Sequence, residues 1–319
     1  MTTLPRKSFM RRASKHCESG LSLIELLVAL TISGLLIFGA TQVYVDSRRT
    51  YDVNERAARL QETARYAMSV LEPDIRMSNY WGLVKGAGVL SGQALPTEPQ
   101  VPGDPTACGT NFTRHLVASL SGTNGSSTFP CTAYRATAVA SADTLTVKRA
   151  SVAPSDPSGT RLRICSTRVM GTVLTDASTC TTPPAGQVND LIVNSYYISQ
   201  NSTDRPGFPS LRRVALIDGP TFRDEEIIPG VEDMQIEFGV DPTGTTGRAA
   251  RYVSPDEVNP GEQIVSVRIW LLIRSDEEEV GFRDDRTYQY ADREAYQPND
   301  RYRRLLVSRT IQVRNALGT

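Results

Sequence analysis

From Leu26 to Val45 the chain runs for 20 residues without a charged side chain. As a helix, a run of that length can cross the hydrocarbon core of a bilayer. Directly before it lies a basic block, Arg6, Lys7, Arg11, Arg12 and Lys15, set against the single acid Glu18. Basic residues beside an apolar run mark a cytoplasmic flank. A secretory signal would have a shorter apolar region followed by a small-residue cleavage site. Here the far end reads Tyr44-Val45-Asp46-Ser47-Arg48-Arg49 and offers no such site, so the run reads as a retained membrane helix.

The helix is not expected to stop at the membrane. Residues 46–72 are rich in Arg, Glu, Gln, Ala and Leu, all good helix formers, and neither Gly nor Pro occurs between Ala40 and Glu72. Ala57, Leu60, Ala64, Ala67, Met68 and Leu71 recur at three- and four-residue steps and make one apolar stripe, opposite Arg56, Arg59, Glu62 and Arg65. Pro73 disfavours helical geometry at Glu72 and predicts an end or a kink there. One helix of roughly 50 residues would be about 75 Å long. Residues 21–45 form its membrane half and 46–80 its amphipathic half.

Residues 81–319 read as a β-rich globular domain. Residues 82–135 carry many Gly, Pro, Ser and Thr and predict loops with short strands. Strand-like runs follow at Thr144–Val147, Leu162–Cys165, Leu191–Ile198, Leu211–Leu216, Met234–Phe238, Ile264–Ile273 and Arg304–Val313. In Val265-Ser266-Val267-Arg268-Ile269-Trp270-Leu271 the odd positions are apolar, the period of a half-buried antiparallel strand. The expected class is α+β, a long N-terminal helix packed on an antiparallel β-meander. Asp276–Asp300 is charged and reads as an exposed excursion between the last two strands.

Charge and motifs exclude more than they assign. Lys plus Arg and Asp plus Glu number 35 each; without residues 1–20 they become 30 and 34, so no basic excess points to nucleic acid. Arg301, Tyr302, Arg303 and Arg304 would make a weak basic-aromatic patch, and solvated strand-edge charges are the simpler reading. No G-x-S-x-G, P-loop or H-E-x-x-H motif occurs, and beyond residue 20 the one histidine is His115 in a loop-like stretch. Gly86–Gly92 has the wrong spacing for a dinucleotide loop. Asp276–Glu279 with Asp284-Asp285 could hold a cation, although a solvated loop suffices, and Asp241-Pro242-Thr243-Gly244 reads as a turn. Neither an enzymatic activity nor a cofactor is expected.

Of five cysteines, Cys17 lies in the basic leader; Cys108, Cys131, Cys165 and Cys180 remain, without C-x-x-C spacing or the partners of a zinc site. In an oxidising compartment these four can pair in three ways, and the sequence-adjacent pairing, Cys108 with Cys131 and Cys165 with Cys180, closes the shortest loops. In a reducing cytosol they would stay free thiols.

The most informative stretch is Gly20-Leu21-Ser22-Leu23-Ile24-Glu25. A carboxylate at the start of an apolar span is costly and calls for a partner. Gly20–Glu25 resembles the type III signal of type IV pilins and pseudopilins. The resemblance implies that a membrane prepilin peptidase cuts between Gly20 and Leu21, removing residues 1–20 as a leader, and N-methylates the new Leu21 amine. It also implies that Glu25 of one subunit meets the N-terminus of a neighbour during assembly. Such a charge pair is far stronger in a low dielectric than in water. Gly34 stands where many pilins carry a helix glycine. Leu21 replaces the usual Phe, and Gln42 stands where major pilins commonly carry a helix proline, which argues against a bulk fibre subunit.

Farther along, Val231–Asp241, Ile264–Arg274, Arg303–Asn315 and Leu71–Gly82 resemble segments of the PilW-type minor pilins. That resemblance implies a subunit of a tip or priming complex that initiates type IV pilus assembly. Its partners would be other minor and major pilins, the inner-membrane assembly platform and a tip adhesin. The chain would sit first as a single-pass protein of the bacterial inner membrane with its C-terminal domain in the periplasm, then in the fibre. A minor pseudopilin of the J type in a type II secretion system shares leader, helix and domain plan, and a bitopic membrane receptor or enzyme is the third class.

Overall fold

The computed structural model describes Gly20, residues 22–94, Cys108, 110–125, Cys131, 133–155, 161–175, Cys180, 186–218 and 221–316. Residues 1–19, Cys17 among them, and Leu21 lie outside the described residues. The chain divides into two compact units, Met1–Glu55 and Arg56–Thr319. Helix α1 (Leu23–Arg76) is 54 residues long and supplies all the described secondary structure of the first unit. Within that unit its apolar side chains are exposed, from Leu23 at 78% to Val45 at 51%.

In the second unit the same helix buries a stripe of Leu60, Ala64, Ala67, Met68, Leu71 and Ile75. Past Glu72, where an end or a kink was expected, the helix continues to Arg76. Pro73 gives up one backbone bond, but its own carbonyl still accepts from Met77 N–H at 3.1 Å. The last turn persists because it buries Asp74 and Ile75, a tertiary gain that a local steric preference cannot anticipate. The chain then turns at Asn79, whose left-handed φ of 61° suits an asparagine after a helix.

The strands in chain order are β1 (Tyr80–Trp81), β2 (Val84–Lys85), β3 (Leu90–Ser91), β4 (Leu120–Thr123), β5 (Thr144–Pro154), β6 (Arg163–Ser166), β7 (Gly171–Leu174), β8 (Gln187–Ser199), β9 (Ser210–Asp218), β10 (Thr221–Pro229), β11 (Val231–Asp241), β12 (Arg251–Val253), β13 (Gln263–Arg274) and β14 (Arg304–Gln312); helix α2 (Thr110–Arg114) lies between β3 and β4. The fold class is α+β and its sheets are mostly antiparallel. They are not one meander, however. β1 and β2 form a ribbon, eight strands form one sheet, and the order β12-β11-β13-β14 forms another. β8 organises the larger sheet: β5 takes one of its edges, while β6 and β9 share the other end to end. One pairing, β3 with β7, is parallel.

β10 is the long strand the sequence conceals. Arg223, Asp224, Glu225 and Glu226 interrupt any alternation, yet they pair across to β9. Arg212 Nε donates to Asp224 at 2.6 Å, and Arg213 binds Glu225 at 2.7 Å. The main core sets the helix stripe against the inner faces of β11 and β13, including Ile236, Phe238, Val267, Ile269 and Leu271. The apolar odd positions of β13 thus face the helix, as their alternation predicts.

The Asp276–Asp300 excursion is mostly exposed, as expected, but it is anchored at three points. Asp284, Tyr288 and Tyr290 are buried, and the two tyrosines pack with Leu272 in a small separate core. Arg304, at the start of β14, is fully buried and binds Glu232 (2.6 Å), Asp300 (2.7 Å) and Asp284 (3.5 Å). Arg303 pairs with Glu279. Within the run 301–304, Arg304 is thus internal wiring, whereas Arg301 stays exposed at the sheet edge and Arg303 is half-buried.

Candidate functional site

At the entrance of the apolar helix, the local sequence sets its own cap. The Ser22 carbonyl accepts the first helical N–H, that of Leu26, at 3.1 Å. Glu25, three residues on, reaches back so that its Oε2 accepts the Ser22 N–H at 3.5 Å. This is one half of a capping box, and a carboxylate in the first turn also meets the positive end of the helix dipole. Gly20, just before, is exposed, with nothing within 4 Å of where a side chain would begin. Gly20 and Glu25 thus flank the start of the helix, with the acid held at its first turn. Leu21 itself is not among the described residues, so no partner for Glu25 beyond Ser22 is on view.

Along the span, polar groups are turned inward on the helix itself. Thr31 Oγ1 donates to the Val28 carbonyl at 2.8 Å and Thr41 Oγ1 to that of Ile37 at 2.7 Å. Gly34 and Gly39 likewise face open space, so nothing in this chain requires them to be small. In bilayers, small residues serve close approach of a neighbouring helix.

In the second unit a buried carboxylate pins the end of α1 to the large sheet. Asp74 Oδ1 accepts from Arg149 Nε at 2.7 Å; its Oδ2 accepts from Asn194 Nδ2 and Tyr196 Oη, both at 2.8 Å. Burial, followed by the charge of Asp74, pushes the Tyr196 hydroxyl well above its ordinary range. The C-terminal end of the domain braces the same turn: Arg314 N–H donates to the Arg76 carbonyl at 3.0 Å and Asn79 Nδ2 to that of Asn315 at 2.7 Å. No local pattern identifies Asp74, which looks like one more acid of a helix end.

Both disulfides are formed, Cys108–Cys131 and Cys165–Cys180, the sequence-adjacent pairs. In the large sheet, Lys148 is buried without a carboxylate partner among the described residues. Its Nζ donates to the carbonyls of Phe112 (2.7 Å) and His115 (2.9 Å) and lies 4.5 Å above the Phe112 ring. Burial lowers its pKa to about 7. His115, lowered by its own burial and then by the Lys148 charge, takes part through its backbone, an arrangement that holds a loop. Three of the six acids in Asp276–Glu279 and Asp284-Asp285 are held in close ion pairs: Asp276 with Arg59, Glu279 with Arg56 and Arg303, and Asp284 with Arg286 and Arg304. Asp241 closes its turn by accepting from Thr243, Thr246 and Gly247.

Residues 195–315 match the family described as type IV pilus-assembly protein W, and residues 15–41 match the prokaryotic N-terminal methylation motif. The first match spans β9 to β14 and the second spans the Gly20–Glu25 entrance. A type IV-like pilin from Thermus thermophilus is a structural relative at 14% identity and a TM-score of 0.36, covering 82% of this chain and 98% of its own. No curated protein matches the chain significantly.

Proposed function

We propose that this chain is a minor pilin that helps to initiate a type IV pilus, as one subunit of a tip or priming complex. The observation that carries the reading is Glu25 held in the first turn of an exposed apolar helix, five residues beyond an exposed Gly20. The match to the methylation motif over the same residues supports it, and the match to the pilus-assembly family over the C-terminal sheet narrows it to the PilW type.

In this reading residues 1–20 are a leader, cut between Gly20 and Leu21 by a prepilin peptidase that then methylates the Leu21 amine. Residues 21–45 are first the membrane anchor and later fibre core; residues 46–80 carry the helix into the domain of residues 81–319. Hydrolysis of the Gly20–Leu21 bond creates a cation at the entrance of the next subunit's helix. The Glu25 carboxylate, weakly held by a long bond to Ser22, is free to accept it. In a low-dielectric fibre core that pair gives a register that apolar contacts alone lack. Two disulfides suit an oxidising periplasm. The protein acts by assembly, with other pilins, the inner-membrane platform and a tip adhesin as partners.

N-terminal sequencing and intact mass of the membrane-extracted protein test the reading directly. The expected product begins at Leu21 and carries one methyl group on its amine. A chain that still begins at residue 1 or 2, in cells with an active prepilin peptidase, eliminates it. Deleting the gene should abolish surface fibres and twitching; loss of exoprotein secretion alone would move the assignment to a pseudopilin.

A further inference from the structure

Buried apolar side chains dominate the second unit; among those left exposed, which also include Val117, Val152 and Val280, one group lies close together. Val169 and Met170, at the tip between β6 and β7, are 79% and 52% exposed; Leu83 and Val89 are 43% and 48% exposed. The backbone brings these four together. Leu83 N–H donates to Ser166 Oγ at 3.0 Å, beside the tip. Parallel pairing sets Leu90 opposite Gly171 and so places Val89 level with Met170. The approach is close enough that a Cβ on Gly171 would lie 2.6 Å from Leu90.

The tip is held in shape. Thr167 Oγ1 accepts from the N–H groups of Val169 and Met170 and donates to the Met170 carbonyl at 2.9 Å. The Cys165–Cys180 disulfide anchors the strand leading into it. Little ordering entropy would therefore be lost on docking. The flanks are basic. Lys85 and Arg168 are exposed, and among the described residues neither has an ion-pair partner. Neither residues 82–94 nor residues 161–175 contain an acid.

We infer that this knuckle docks on an anionic lipid bilayer, its aliphatic tip entering the interface while Lys85 and Arg168 meet the headgroups. An aliphatic wedge flanked by two cations and no acid in its own segments is a composition suited to anionic membranes. A protein hot spot would present an aromatic anchor, and here Trp81 is buried with its indole bonded to Asn79. The inference does not depend on the pilin reading.

The test uses the full chain reconstituted through α1 into phosphatidylcholine nanodiscs, which leaves the domain free to meet a second membrane. Flotation with phosphatidylcholine vesicles containing phosphatidylglycerol is compared with flotation on phosphatidylcholine alone. Association is expected only with the anionic vesicles and is expected to weaken with salt. Val169→Ser with Met170→Ser should weaken it about tenfold or more, since two aliphatic side chains leave the interface. Lys85→Gln with Arg168→Gln should abolish the preference for phosphatidylglycerol; both pairs are exposed, so folding is retained and is checked by disulfide content and circular dichroism. Equal binding to neutral vesicles, or unchanged binding by the tip variant, overturns the inference. So does a tip variant that floats normally but loses crosslinks to another fibre subunit, which would make the knuckle a protein interface.

Discussion

Replacing Asp74 by alanine removes the carboxylate on which Arg149, Asn194 and Tyr196 converge. Asn194 and Tyr196 are buried and cannot turn to water, so each is left with a lost bond worth about 1–3 kcal/mol. Arg149 retains 18% side-chain exposure and recovers some hydration, which keeps the total near the usual cost of breaking a buried ion pair, about 3–5 kcal/mol. For a domain of this size that corresponds to a fall in Tm of about 6–20 °C. Asp74→Asn keeps the shape and one acceptor and should lose about half as much, separating charge from fit. The assay is urea unfolding of the detergent-solubilised chain, followed by the fluorescence of buried Trp81, whose Nε1 donates to Asn79 Oδ1 at 2.8 Å close to the same turn. The proposed cleavage between Gly20 and Leu21 should be unaffected, because those residues belong to the other unit. If Asp74→Ala lies within about 1 kcal/mol of the parent protein, the claim that this carboxylate locks the helix to the sheet is wrong.

Three further outcomes are expected. Glu25→Gln should be cleaved at the normal rate but enter fibres poorly, as read by comparing processed protein in membranes with protein in sheared fibres; normal incorporation would refute a role for its charge. Cys165→Ser with Cys180→Ser opens a link spanning 15 residues and should cost about 3 kcal/mol in chemical denaturation, whereas no loss would mean that the sheet alone sets the local fold. Lys148 has a folded pKa near 7 against an ordinary value of 10.5, so between these values the unfolded chain binds more protons and stability should rise with pH. That rise has a limiting slope of about 1.4 kcal/mol per pH unit and should vanish in Lys148→Met; an unchanged profile would place the charge elsewhere.

The parts legible in the sequence were those governed by local rules. The stripe from Leu60 to Leu71 and the odd positions of β13 follow periodicities of 3.6 and 2, and both are buried where those periods point. β10 was hidden because its stability comes from arginines on the neighbouring strand, so its own Asp-Glu-Glu run looks like a loop. Asp74, Lys148 and Arg304 were hidden for the same reason. Each is an ionisable residue whose burial leans on partners far along the chain, Arg304 on Glu232 at a separation of 72 residues as well as on nearby Asp300. The extra turn after Pro73 belongs with them, since the buried contacts of Asp74 and Ile75 outweigh one missing backbone bond.

The apolar half of α1 differs from these cases in what it leaves open. Thr31 and Thr41 satisfy their hydroxyls on their own helix, which suits a medium that offers no other partner. Gly34 and Gly39 face empty space, and Glu25 is the one charged side chain between Leu23 and Val45. The small residues are idle in the isolated chain and acquire a purpose only when another helix lies against them. On the function proposed above, register and close approach would be set at different positions, the first at Glu25 and the second at the glycines. Substituting Gly34 by leucine should disturb helix spacing without affecting cleavage, whereas neutralising Glu25 should leave spacing intact and scramble alignment.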